Sequence, residues 1–330
     1  MHLEKTIAAI STAEAPGGIG IVRVSGPEAL SIADRVFKAK NGGSLSEARG
    51  YTARFGGAFT RDGEKLDDVV ALVFRAPKSY TGEDVAELSC HGGLYVTRRL
   101  LREVLASGAV PAGPGEFTRR AYLNGKMDLA QAEAVMQLIG ASGEQAARAA
   151  QAASGGALSR KMRGMRESLK GTAAQLAAWA DFPDEDVPEV ENKPLLEALE
   201  GYIQALSALL RGFEQGKAFR EGVDTVICGR PNAGKSTLMN LLAGCSRSIV
   251  TEYPGTTRDI IEETVLVGGV PLRLADTAGL RDTEDPVEQI GVQAARERMG
   301  TAQLVLAVFD SSQPLAEEDA ALIETLEKKR

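Results

Sequence analysis

Cysteine is scarce in this chain: Cys90, Cys228 and Cys245 are an odd number with no C-x-x-C spacing. That excludes a disulfide framework and a thiolate zinc site, and leaves buried reduced thiols as the expectation. Long apolar runs are missing too. No stretch approaches the roughly 18 residues of a membrane span. The N-terminus, Met1-His2-Leu3-Glu4-Lys5, leads directly into a strand-like segment without a signal-peptide core. A cytoplasmic protein with no membrane contact is expected. Positive charge is in deficit, with 38 Lys and Arg against 45 Asp and Glu and a net charge of −7. That sign excludes a protein that holds nucleic acid mainly through nonspecific attraction to phosphates. Any RNA contact must use a local patch, for which the best candidate is Arg160-Lys161 with Arg163, Arg166 and Lys170, opposed only by Glu167. A solvated helix face is the simpler account of that run.

What is present is ample apolar material: 330 residues, 44% hydrophobic and 25% charged, enough for two or three domains with sizeable cores. The fold class expected is a multidomain mixture of α+β and α/β. Residues 1 to about 120 combine β-rich runs (Ile19 to Val24, Val69 to Phe74) and Gly and Pro punctuation with one helical stretch, Gly93 to Leu105, as an α+β domain does. From Asp128, apolar residues Leu129, Ala132, Val135, Met136 and Ile139 recur at helical spacing, and alanine-rich helical sequence continues to about Ala180. An acidic, proline-bearing loop from Asp181 to Pro188 breaks it, and a further helix covers about Lys193 to Gln215. Residues 121–220 are therefore expected to be a helical domain. From 221 to 330, strands (Thr264 to Val267, Leu272 to Ala275, Leu304 to Phe309) alternate with helices, as in a doubly wound sheet. No internal repeat is detectable.

Within that last part, Gly229-Arg230-Pro231-Asn232-Ala233-Gly234-Lys235-Ser236 matches G-x-x-x-x-G-K-[ST]. Glycine lets a backbone wrap phosphates with its N–H groups, the lysine brings mobile positive charge, and the serine hydroxyl can ligate Mg²⁺. The β-branched run Thr225 to Cys228 before it and the helical run Ser236 to Gly244 after it give the order strand, loop, helix that the motif requires. A later strand ends in Asp276-Thr277-Ala278-Gly279, the pattern by which a GTPase holds Mg²⁺ through water and senses a γ-phosphate. Between the two lies Gly255-Thr256-Thr257-Arg258-Asp259, where a threonine hydroxyl can complete Mg²⁺ coordination. The reading is thus a GTP/GDP-binding switch. Position 280 is leucine, which cannot orient an attacking water as the glutamine of Ras-like proteins does. Some other polar group must, and Asp282, Glu284, Asp285 and Glu288 are the nearest acidic candidates.

These motifs, with several N-terminal strings, resemble the MnmE (TrmE) family of tRNA-modification GTPases along the whole chain. The strings are Pro16 to Gly26, Ser79 to Glu87 with His91-Gly92-Gly93, Pro114 to Thr118, Asn124 to Glu133, and Asp181 to Glu185. The resemblance implies a potassium-activated GTPase that forms a homodimer through its N-terminal domain. It implies a partner, the flavoprotein MnmG, in a heterotetramer that modifies carbon 5 of the wobble uridine of tRNA. By position, Asn232, Thr251, Tyr253 (through its backbone) and Thr256 would ligate K⁺; Ser236 and Thr257 would ligate Mg²⁺; and Glu288 would orient water. The nucleotide site would run through Asn232 to Thr237, Thr251-Glu252-Tyr253-Pro254-Gly255-Thr256-Thr257 and Asp276 to Gly279, with Ala233, Gly234 and Lys235 on the phosphates and Thr277 and Ala278 beside them. In the N-terminal domain, Arg23, Glu87 and Lys126 match a site for 5-formyl- or methylene-tetrahydrofolate. Read without the resemblance, those three are ordinary surface charges. Cys90-His91 is not read as a nucleophile and its base, because neighbouring side chains on a strand point to opposite faces.

A guanine-reading [NT]-K-x-D is missing from the chain, whose one Asn-Lys pair, Asn192-Lys193, precedes the phosphate loop. A chain truncated within its GTPase domain is therefore expected. A ribosome-assembly or signalling GTPase, or a noncatalytic folate-binding dimerisation fragment, are the competing readings.

Overall fold

In the computed structural model, residues 5–141, 143–181, 191–230, 232–245, 263–274 and 299–327 are described. Two units divide the chain, one through Val135 and one from Met136.

The first unit is built on strands β1 (Ile7–Ile10), β2 (Ile19–Ser25), β3 (Phe37–Ala39), β4 (Thr52–Phe59), β5 (Lys65–Phe74), β6 (Val85–His91) and β7 (Val110–Pro111). They form one sheet in the order β3-β4-β5-β6-β2-β1-β7, antiparallel except for the β1–β7 edge pair. Period-2 alternation decides which face is buried. Val22 and Val24 of β2, Ala86, Leu88 and Cys90 of β6, and Val69, Ala71 and Val73 of β5 all point inward. They meet Ile32, Ala33 and Val36 of helix α1 (Ala29–Val36) and Leu100 and Val104 of helix α2 (Leu94–Ala106). Val22, Val24, Leu88 and Leu100 are at most 1% exposed, and each such side chain contributes about 1.5–3 kcal/mol by leaving water. The close approach of α2 depends on Gly20, where a Cβ would lie 2.2 Å from Thr97 Oγ1. Two further helices follow, α3 (Glu116–Leu123) and α4 (Leu129–Ile139).

The second unit begins within α4, at Met136, and continues with α5 (Glu144–Ser154), α6 (Ala157–Asp181) and α7 (Asn192–Glu221). Gly222, at φ +78°, ends α7 and turns the chain into β8 (Val223–Cys228). After α8 (Lys235–Cys245) come β9 (Glu263–Val267), β10 (Val270–Leu274), β11 (Leu304–Ala307) and α9 (Glu317–Glu327). The sheet order is β11-β8-β10-β9, with β8 parallel to both neighbours and β9 an antiparallel edge. Central β8 is covered on both faces. Val226 and Cys228 pack with Met299 and Ala302, and Ile227 packs with Val265, Leu272 and Leu274 near Leu238, Met239 and Leu242 of α8. That double burial explains why Thr225 to Cys228 reads as a continuous apolar run.

Three features differ from the sequence reading. The first domain holds α1 and α3 as well as α2; α1 and α3 are only 8 residues long, about two turns, shorter than the roughly 11–18-residue window over which a helical period is read. The helical stretch from Asp128 to Ala180 holds three helices, the first ending at Ile139 and the second and third parted at Gly155-Gly156, with Gly156 at φ +73°. The helix expected over Lys193 to Gln215 runs on to Glu221.

Candidate functional site

The phosphate loop leaves β8 at Gly229 and enters α8 at Lys235. Gly229 adopts φ +146°, and a Cβ there would lie 2.2 Å from the backbone oxygen of Val308 beyond β11. Both the conformation and the space demand glycine. Gly229→Ala is therefore expected to lower affinity for a fluorescent GDP analogue by about tenfold or more through loop displacement; unaltered affinity would show that the loop tolerates the shift. Asn232 sits at φ +61°, a left-handed conformation that asparagine tolerates better than most residues. Lys235 turns back on the loop, its Nζ donating to the carbonyl oxygens of Gly229 (2.9 Å) and Arg230 (2.6 Å). Ser236 and Thr237 are exposed in the first turn of α8, where N–H groups lack intrahelical acceptors and the helix dipole favours an anion. The donor set suits phosphate: main-chain N–H groups, an ammonium and hydroxyls. Ser236 offers the kind of hard oxygen that Mg²⁺ takes.

Sequence reasoning missed what holds this loop. Arg230 Nε lies 2.9 Å from Asp319 Oδ2, and Asp319 is 2% exposed on α9, where the same oxygen accepts the Ala316 N–H at 3.0 Å. The partners are far apart in sequence, so no local pattern announces them. Behind the loop, burial pushes the Cys228 thiol pKa up against the opposing charge of Lys235. The thiol stays protonated at neutral pH, in keeping with a structural role.

Of the residues read as nucleotide or metal contacts, Thr251, Glu252, Tyr253, Pro254, Gly255, Thr256, Thr257, Asp276, Thr277, Ala278, Gly279 and Glu288 lie outside the described residues, as does Leu280.

In the first unit the antiparallel register sets Arg23 opposite Glu87 on the face turned away from α1 and α2. Their side chains pair at 2.8 Å. The Arg23 guanidinium carbon is 5.5 Å from the ring centre of Tyr80 and 5.4 Å from that of Phe117, within cation–π range. Tyr80 is itself tied by its hydroxyl to Thr118 Oγ1 at 2.8 Å. Lys126 Nζ donates to Pro77 O at 2.9 Å, and Asn124 donates to Thr81 O at 2.8 Å. Arg23 and Lys126 thus both meet the segment 77–84. Arg23 touches Glu87 directly, and Lys126 is fastened to the start of that segment.

Under it lies a buried ionic cluster that the sequence did not reveal. Arg120, 1% exposed, donates to both carboxylate oxygens of Glu83 at 3.1 Å, to Glu116 Oε1 at 3.1 Å and to Lys5 O at 2.9 Å. Ser25 Oγ completes the set, donating to Glu83 Oε2 at 2.7 Å and lying 2.7 Å from Thr81 Oγ1. Cys90 and His91 point to opposite faces. Cys90 is buried, its pKa raised by desolvation against a hydrogen bond with Thr97. His91 is exposed, its Nδ1 2.7 Å from Asp67 Oδ1. Burial pushes the Asp67 carboxyl up, but hydrogen bonds from the His91 backbone and ring and from the Asp68 N–H hold it below its usual range.

Comparison with known proteins decides the family. A family profile described as "GTP-binding protein TrmE N-terminus" matches residues 6–126, and one described as "50S ribosome-binding GTPase" matches residues 224–330. The chain is 48% identical over 330 residues to the tRNA modification GTPase MnmE of Geobacter sulfurreducens, covering 100% of this chain and 72% of the relative. The chain belongs to the MnmE family of tRNA modification GTPases. MnmE of Bacillus subtilis is 47% identical over 324 residues, 98% of this chain and 71% of its own length, and MnmE of Listeria innocua is 49% identical over 320 residues, 97% and 69%. Among the described residues no helix is long and apolar enough to cross a membrane, and no group of His, Cys, Asp or Glu is arranged to hold a metal ion by itself.

Proposed function

We propose that this chain is a cytoplasmic, potassium-stimulated GTPase of tRNA modification. It acts as a homodimer with the flavoprotein MnmG, in a heterotetramer that elaborates carbon 5 of the wobble uridine with a one-carbon unit from 5-formyl- or methylene-tetrahydrofolate. The observation that carries the reading is the phosphate loop from Gly229 to Ser236, seated between β8 and α8, in a chain that follows MnmE relatives along its whole length.

GTP would meet the first turn of α8, and Lys235 would exchange the carbonyls of Gly229 and Arg230 for phosphate oxygens, a swap that its flexible stem permits. Ser236 with Thr257 would hold Mg²⁺, which neutralises phosphate charge. Asn232, with Thr251, Tyr253 and Thr256, would hold K⁺, which supplies the positive charge that an arginine finger gives in other GTPases. Leu280 can orient no water, so Glu288 takes that part. In the first unit, the Glu87 carboxylate suits the paired donors of an aminopyrimidinone edge, and Arg23 and Lys126 suit the acidic tail of a folate. The open sheet face supports dimerisation, since Ile19, Phe55 and Val70 are 65%, 51% and 39% exposed there.

GTP hydrolysis by the full chain is expected to run several-fold faster in KCl than in NaCl at equal ionic strength, and Asn232→Ala to abolish the difference. Equal rates in the unsubstituted protein would sink the cation assignment. Calorimetry with 5-formyl-tetrahydrofolate tests the other site, and the absence of binding would favour a ribosome-assembly or signalling GTPase instead.

A further inference from the structure

The structure points to a third functional surface, distinct from both sites above: we propose that the outward stripe of α2 docks the phosphodiester backbone of a folded RNA. The identity of that RNA as a tRNA rests on the function proposed above; the surface itself rests on geometry and charge.

Tyr95, Arg98, Arg99 and Arg102 recur at i, i+3, i+4 and i+7 and therefore share one face of α2, opposite the buried Thr97, Leu100 and Val104. With Leu94 they line a shallow cavity of about 280 Å³. Tyr95 is 76% exposed, an aromatic plane without a covering neighbour. The cations around it are only lightly committed. Arg98 pairs with Glu14 at 2.6 Å, but both side chains are more than half exposed, and such pairs contribute little against a competing phosphate. Arg99 lies 3.3 Å from Glu103, yet its buried Nε–H has no aligned acceptor. Arg102 is exposed and makes no ion pair among the described residues.

The run on α6 that sequence alone favoured is differently placed. Arg166 and Lys170 share Glu167 at 2.8 and 3.5 Å, and Arg160 donates to Gly155 O at 2.5 Å. Arg166 and Lys170 also border a groove walled by Met162, Met165, Leu169 and Tyr202, which is apolar. In a chain of net charge −7, the α2 stripe is thus the better local patch. Guanidinium forks match phosphate oxygens bidentately, and an exposed tyrosine ring stacks an unpaired base, the pairing of contacts by which single-stranded loops of structured RNA are held.

The test is fluorescence anisotropy of a labelled, unmodified tRNA transcript with the full chain over a KCl series. Arg98→Glu with Arg102→Glu is expected to weaken binding about tenfold or more and to lower the slope of log affinity against log salt by roughly 1.4–1.8, the loss of two phosphate contacts. Arg160→Glu with Arg163→Glu adds the same charge elsewhere, and is expected to change affinity by less than about threefold if the effect is local and not a matter of net charge. Tyr95→Ala should weaken binding about fivefold or more, and Tyr95→Phe, which keeps the ring, should restore it. Thermal melting curves matching the parent protein establish that each variant is folded. If the parent protein binds no tRNA, the tRNA-modification reading falls and this surface with it. If the parent binds and the α2 double variant binds equally, or the α6 double variant loses as much, the surface assignment alone is overturned. Displacement of the tRNA by poly-glutamate as effectively as by unlabelled tRNA would instead make the stripe a dock for acidic peptide.

Discussion

Replacing Arg120 by alanine is expected to cost the first unit about 3 kcal/mol, at the lower end of the range for breaking a buried ion pair from one side, and to lower its melting temperature by roughly 10 °C. The guanidinium is 1% exposed and ties α3, the 79–84 segment and the chain just before β1 together through Glu83, Glu116 and Lys5 O. Removing it leaves two carboxylates without their cation. The lower end applies because Glu83 and Glu116 keep 15% and 24% of their side-chain surface in contact with water, which can solvate part of the orphaned charge. Arg98→Ala is the fitting control. It removes an ion pair of comparable distance whose partners are 61% and 58% exposed, and such pairs contribute at most about 1 kcal/mol. A calorimetric scan showing the two variants within about 2 °C of each other would contradict this weighting of burial over pair count. Arg120→Ala should also weaken whatever binds at Arg23 and Glu87, since the cluster anchors the segment that sets Tyr80 beside Arg23.

The contrast between Arg120 and its neighbour shows where sequence reading ends. Arg119 is exposed and Arg120 is buried, yet nothing in Arg119-Arg120 distinguishes them. The distinction comes from Glu83, which the topology brings to α3 from 37 residues away. The Arg230–Asp319 pair and the attachment of Lys126 to Pro77 are equally nonlocal. Patterns that depend on near neighbours were legible. The order of β-branched run, glycine loop and helix located β8 and α8, and the opposite facing of Cys90 and His91 followed from strand geometry, whereas Arg23 and Glu87 read only as surface charges until the register set them opposite one another. Helix breaks were less legible, because alanine-rich sequence on either side of Gly155-Gly156 carries the same periodicity and only the backbone, at φ +73° for Gly156, shows the turn.

The largest effect on chemistry is expected at Glu288. The segment Asp276-Thr277-Ala278-Gly279 ends at Leu280, whose side chain has no hydrogen-bonding atom, so hydrolysis needs a polar group from elsewhere to align water with the γ-phosphate. A positioned acid or base of this kind contributes about 10²–10⁴-fold. Glu288→Ala is therefore expected to lower the single-turnover rate of GTP hydrolysis by about 10²-fold or more. Affinity for a fluorescent GTP analogue should change by less than about threefold, since in the proposed role Glu288 would act on the water and not on the bound phosphates. Lys235→Ala should behave in the opposite way, losing nucleotide binding first, because its ammonium already sits within the phosphate loop. Asp282, Glu284 and Asp285 are the neighbouring carboxylates that could take the same part, and their alanine variants are expected to hydrolyse GTP at close to the parent rate. Loss of hydrolysis in one of those three, with Glu288→Ala unaffected, would move the water-orienting role to that residue and leave Leu280 as the reason the role exists at all.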